Sequence, residues 1–275
     1  MNRSSGLNLL NLVQEFKAIG EFAKFAGNAW TWSLGRRTRH PRPILLIPGF
    51  MAGDATLYPF ANWLRSQGHR VFFSGILANV DCPRRAMDRL ARILQGLYDR
   101  HEEKLVVIGH SLGGVYAREL ARRMPDQIEQ IILLAAPVGE VGERTNPFVQ
   151  MLATLTIKTN EFIRGCSGEL RNICGVQSLT PPPNVPEAII FSKADGVVEW
   201  TSCVESGPNV HAFEVDATHC GLPYHLDTLR IVHDLIENEP PHRNGKVHAN
   251  GKAHTNGKVQ ANGKVHINGT SAASS

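Results

Sequence analysis

The chain has 275 residues, 42% of them hydrophobic and 20% charged, with a formal net charge of +4. That is the composition of a soluble globular protein with enough residues for one large core or at most two small ones. Arg243, Lys246, Lys252, Lys258 and Lys264 all fall in 240–275, where there is no acidic residue. The first 239 residues are therefore near neutral, which excludes the basic footprint of a nucleic-acid-binding surface.

In chain order, residues 7–32 come first. Leu9, Leu12, Phe16, Ile19, Phe22, Ala26 and Trp30 recur at helical spacing, and Arg36, Arg37 and Arg39 follow. The spacing predicts an amphipathic helical arm within 1–42. Docking onto the body or a second subunit explains the pattern. A peripheral contact with an anionic membrane through residues 7–39 is the alternative.

From Pro43 the period changes. Short apolar runs recur at 44–50 (ILLIPGF), 71–77 (VFFSGIL), 105–109 (LVVIG), 131–137 (IILLAAP) and 188–195 (AIIFSKAD), with a more alternating sixth at 210–215 (VHAFEV). Helical stretches at 55–67, 84–100, 113–124 and 223–237 lie between and after them. Runs apolar on both faces suit the interior of a parallel sheet covered by helices, so the expected class is α/β with a mostly parallel sheet over 43–239. Residues 139–183 break the alternation, and a short helical lid over the carboxyl edge of the sheet is expected there. The tail, 240–275, repeats NGKVHA, NGKAHT, NGKVQA and NGKVHI. Those hexads are too polar to bury a core and read as disordered. His248, His254 and His266 could catch a metal weakly, but a solubilising repeat without a ligand is the plainer reading, and no metal site is expected.

The chemistry concentrates in GHSLGG, 109–114. Ser111 follows a buried-type strand and precedes a helix-like stretch, the context that makes G-x-S-x-G informative. A side chain at 109 or 113 would strike a neighbouring element, and the serine at a helix start meets unpaired N–H groups that favour developing negative charge. A serine nucleophile needs a base, and His219, four residues after the last strand run, arrives at the sheet's carboxyl edge. His225 and His233 read as packing or surface residues, and His110 is held in the turn. The acid that fixes the imidazole is Asp195, at the tip of its strand run, with Asp216 as the alternative. Two backbone N–H groups should face the developing oxyanion: Leu112 supplies one, and Phe50, or else Met51, the other.

Together, PGF at 48–50, GHSLGGVYA at 109–117, SKADGVV at 192–198 and THCGL at 218–222 resemble the α/β-hydrolase superfamily, and within it the serine esterases and triacylglycerol lipases. The resemblance covers about 43–236. It implies Ser111 as nucleophile, Asp195 as acid, His219 as base, N–H donors at Phe50 and Leu112, and an acyl-enzyme released by water, with no cofactor. Pro48-Gly49 stands where many such lipases have His-Gly. The expected substrate is a small ester with an apolar acyl group. A thioesterase or acyltransferase would use the same residues, and a catalytically silent binding protein is the rival of another class.

Five cysteines (Cys82, Cys166, Cys174, Cys203, Cys220) form no CxxC, and an odd number points to a reduced compartment or a free thiol. Cys166 and Cys174 are near enough to pair if the protein is exported. Polar residues from Gln14 to Lys24 interrupt any signal-like core, and no apolar run has membrane-spanning length, so a cytoplasmic location is expected.

Overall fold

The computed structural model describes residues 38–138 and 183–237, with Gly20, Ala23, Phe25, Thr154 and Lys158. All of these lie in a compact unit, Met1–Pro240. The expected lid at 139–183 and repeat tail at 240–275 lie almost wholly outside the described residues, as does most of the N-terminal arm.

Six parallel strands make one sheet among the described residues: β1 (Pro43–Ile47), β2 (Arg70–Phe73), β3 (Leu105–His110), β4 (Ile128–Leu134), β5 (Glu187–Ser192) and β6 (Val210–Val215), in the order β2-β1-β3-β4-β5-β6. Ile44 pairs with Val71 on one side and Val106 on the other, which places β1 inside the sheet. Every residue of β1 and β5 is buried. Burying a large aliphatic side chain contributes about 1.5–3 kcal/mol, so these continuous apolar runs are stable only with both faces covered.

Helices that provide the cover include α1 (Tyr58–Ser66), α2 (Pro83–His101), α3 (Leu112–Arg123) and α4 (Leu226–Glu237). Along each strand the side chains alternate between two cores. Leu45, Ile47, Val107 and Leu133 meet Met87, Leu90 and Leu94 of α2 and Tyr116 and Leu120 of α3. Ile44, Leu46, Val106 and Ile132 meet Phe60 and Leu64 of α1 and Leu229 and Val232 of α4. Phe25, helical and buried, belongs to the second core and its ring lies 5.8 Å from that of Tyr224. Nearer the first strand, the Thr38 N–H donates to the Gln67 carbonyl at 2.8 Å.

From β1 the chain moves outward to β2, then crosses back to β3 on the other side of β1. This reversal opens a crevice at the carboxyl ends of β1 and β3, where parallel sheets bind ligands.

Three local features differ from the sequence expectation. The run 71–77 gives only a short strand, because Asp54 captures the chain beyond Phe73. Its Oδ1 accepts from the Ser74 hydroxyl at 2.6 Å, and its Oδ2 from the Ile76 N–H at 3.1 Å. Gly75 turns at φ 70°, and Leu77 ends 97% exposed instead of buried. The helices expected at 55–67 and 223–237 each begin as a 3-10 turn, at Asp54–Leu57 and Leu222–Tyr224. Finally, Cys82 is disulfide-bonded, while Cys203 and Cys220 carry thiols. Cys166 and Cys174, the pair expected if the protein is exported, lie outside the described residues. The free thiol that an odd count allows is present at both Cys203 and Cys220.

Arg118 and Glu187 form a fully buried ion pair. Arg118 of α3 reaches Glu187 of β5 at 3.2 Å and Glu205 at 2.5 Å, and donates to the Val138 carbonyl at 2.8 Å. Burial outweighs the guanidinium and pushes the Glu187 carboxyl up to about 7.

Candidate active site

Ser111 occupies the turn between β3 and α3, at φ 52° and ψ −121°. A non-glycine residue there is strained by about 1–3 kcal/mol and persists only where its surroundings fix it. The fixing contacts are backbone ones: the Ser111 N–H donates to the Leu134 carbonyl at 2.8 Å, and the Ser111 carbonyl accepts from Gly114 N–H at 2.8 Å. The glycines are required by close approach. A Cβ at 109 would lie 2.3 Å from the Gly113 carbonyl oxygen, and one at 113 would lie 2.2 Å from that of Ile47. Gly113 thus lets the start of α3 press against the end of β1. A Cβ at 114 would meet that of Ala136 at 2.4 Å.

His219 and Asp195 come from the loops after β6 and β5 and are both buried. His219 Nδ1 bonds to Asp195 Oδ2 at 2.7 Å. The other carboxylate oxygen, Oδ1, accepts from the N–H groups of Val197 and Val198, each at 2.8 Å. The acid is therefore oriented by its own loop before the imidazole arrives. Ser192 Oγ ties the two loops together, accepting from Ala194 N–H at 3.0 Å and Ala217 N–H at 3.2 Å. Asp216, the alternative acid, is exposed.

His110, read from sequence only as a fixture of the turn, does more. Its Nε2 lies 3.0 Å from the His219 carbonyl oxygen, which makes Nε2–H the donor and leaves Nδ1 bare. The two imidazole rings are 4.9 Å apart. Burial, and secondarily His219 itself, pushes the His110 ring down to about 3, so it is neutral across the physiological range. It holds the backbone of the His219 loop against the end of β3. The signal for this contact was absent from the sequence because it joins residues 109 apart.

The loop after β1 faces the turn. A Cβ on Gly49 would lie 3.1 Å from that of Ser111. Gly49 to Ala52 forms a turn closed by Ala52 N–H to the Gly49 carbonyl at 3.1 Å, with Met51 at φ 59°. Met51 N–H is committed to the Asn79 carbonyl at 3.1 Å. No acceptor takes the Phe50 N–H among the described residues, and Leu112, first residue of α3, has no helical partner for its N–H. Of the two sequence candidates, Phe50 is left available and Met51 is not. Burial, and to a lesser degree the nearby Asp195, pushes the Cys203 thiol up, so it is inert beneath the acid. Among the described residues no cluster has the composition of a metal site.

Carboxyl-edge loops of a parallel sheet thus present a strained serine, a histidine and its buried carboxylate. The A. fumigatus lipase B structure superposes with a TM-score of 0.56 at 15% identity, over 74% of this chain and 54% of that one. The fold is that of the α/β hydrolases. The carboxylesterase of Bacillus subtilis shares this α/β-hydrolase fold at a TM-score of 0.50 and 15% identity, over 80% of this chain and 98% of that one. A family profile described as serine aminopeptidase, S33, matches residues 53–166, less than half of the chain. Among curated proteins, a pimeloyl-[acyl-carrier protein] methyl ester esterase from Nitrosomonas europaea is 29% identical over 109 residues. That match covers 40% of this chain and 42% of the relative, so the alignment spans well under half the length of the curated protein.

Proposed function

We propose that this α/β hydrolase is a serine hydrolase that cleaves carboxylic esters of apolar acyl groups. The observation that carries the reading is the buried 2.7 Å bond between His219 Nδ1 and Asp195 Oδ2, at the same sheet edge as the strained Ser111 turn. The acid fixes the proton on Nδ1, which leaves Nε2 as the base. His219 then takes the Ser111 proton as Oγ attacks the ester carbonyl. The N–H groups of Phe50 and Leu112 receive the oxyanion, His219 returns the proton to the leaving alcohol, and water repeats the cycle on the acyl-enzyme. No step calls for a metal or an organic cofactor. The exposed side chain of Met51, within the Phe50 turn, and that of Leu77, whose carbonyl lies against Gly53, support an apolar acyl group. The likeness to esterases agrees with the reaction class.

The test is a substrate series from 4-nitrophenyl acetate to palmitate, with acyl-CoA esters and an aminoacyl 4-nitroanilide in parallel, on the wild type and Ser111→Ala. Turnover of oxygen esters that disappears in the variant is the expected result. Turnover confined to acyl-CoA would move the assignment to thioesterase, and turnover confined to the anilide to peptidase. Silence across all three would return the chain to a binding role.

A further inference from the structure

We propose that Asn79 is a positioning residue for the oxyanion donor at Phe50, an inference that rests on the function proposed above. Asn79 lies between β2 and α2 and is 2% exposed. Three hydrogen bonds join it to the turn beside Ser111. Its Nδ2 donates to the Pro48 carbonyl at 2.9 Å, its carbonyl accepts from Met51 N–H at 3.1 Å, and its own N–H donates to the Ala52 carbonyl at 2.8 Å.

The geometry bears on Phe50 through peptide planarity. The Pro48 carbonyl lies in the plane of the Pro48–Gly49 peptide, and the Met51 N–H in that of Phe50–Met51. Asn79 grips both. The Phe50 N–H belongs to the peptide between them, so its direction is set by two flanking planes that one side chain and its backbone hold. Met51 makes the grip necessary, because at φ 59° it sits in a region that a non-glycine residue leaves when nothing holds it. The opposite wall is fixed as well, since a Cβ on Gly113 would lie 2.6 Å from the Pro48 carbonyl oxygen. Asn79 therefore acts through the backbone and needs no contact with substrate.

The experiment compares wild type, Asn79→Ala and the milder Asn79→Ser on 4-nitrophenyl butyrate and its thiono analogue, in which sulfur replaces the carbonyl oxygen and accepts hydrogen bonds poorly. Removing an oxyanion donor outright costs roughly 10²–10³ in kcat, and misdirecting one should cost about tenfold or more. The expected result is that loss in kcat on the oxygen ester, with KM within about twofold and the thionoester rate nearly unchanged. An equal loss on both substrates, a change confined to KM, or unaltered kinetics would overturn the proposal. So would melting of both variants below the assay temperature, since Asn79 would then hold the fold and not the donor. Ser111→Ala is run beside them: if it stays active the serine hydrolase reading fails, whereas an inactive Ser111→Ala with a normal Asn79→Ala sinks the positioning role alone.

Discussion

Replacing Asp195 by Asn should cost about 10⁴ in kcat with almost no loss of stability, and the structure gives the reason. Oδ1 of Asp195 accepts from two backbone N–H groups at 2.8 Å, whereas Oδ2 accepts from His219 Nδ1 at 2.7 Å. An asparagine must keep its oxygen against the two N–H groups, so its amide nitrogen takes the place of Oδ2 and points a donor at Nδ1. His219 can meet that donor only by moving its own proton to Nε2, the atom that accepts from Ser111 in the proposed mechanism. The wrong tautomer then dominates. A 10⁴ loss corresponds to about 5 kcal/mol of transition-state stabilisation. Because the side chain keeps its size and its two loop bonds, the melting temperature should fall by only a few degrees. The assay is kcat on a 4-nitrophenyl ester with parallel thermal melts, using Asp216→Asn as the control that should retain wild-type activity. Activity of Asp195→Asn within about tenfold of wild type, or a comparable loss in Asp216→Asn, would refute the orientation argument.

Three further outcomes follow from distances and burial. Gly109→Ala should destabilise the protein by about 3 kcal/mol, because its Cβ meets the backbone of Gly113 and Gly114, while Gly96→Ala, at an exposed position of α2 with nothing within 4 Å, should stabilise by about 0.5–1 kcal/mol; equal effects in chemical denaturation would contradict this. Glu187 has its folded pKa raised from 4.5 to about 7, so the folded state holds a proton that the unfolded chain releases. Its contribution is therefore fully present below about pH 4.5 and is lost as pH rises through 7, by up to about 3 kcal/mol. Denaturation of wild type and Glu187→Gln at pH 4.5 and 7.5 should show this as a difference of slopes, and parallel curves would refute it. With Cys82 bonded, thiol titration of the denatured, unreduced protein should find no more than three of the five cysteines reactive, and five would show that the bond is absent.

What the sequence revealed depended on how local the cause was. The Ser111 turn was legible because its glycines are forced by contacts within a few residues and with the strand beside them. β1 and β5 were legible because burial on both faces leaves an unbroken apolar run. β6 was also found, although it lies at the sheet edge and only Val215 is buried, because its residues alternate. The run 71–77 misled: nothing in its pattern shows that Asp54, twenty residues earlier, ends the strand. The strand tip alone pointed to Asp195, the carboxylate that bonds His219, and Asp216 stands exposed. The His110 contact with the His219 loop, the Ser192 tie and the Asn79 grip could not be seen, since each joins segments that only the assembled sheet brings together.

The central claim is that Ser111 is a nucleophile activated by His219. Labelling with a fluorophosphonate, followed by mass mapping of the modified peptide, tests it most directly. The account predicts one phosphonylated residue, Ser111, with labelling abolished in Ser111→Ala and slowed at least about a hundredfold in His219→Ala. Unlabelled wild type, or equal labelling in His219→Ala, would contradict it.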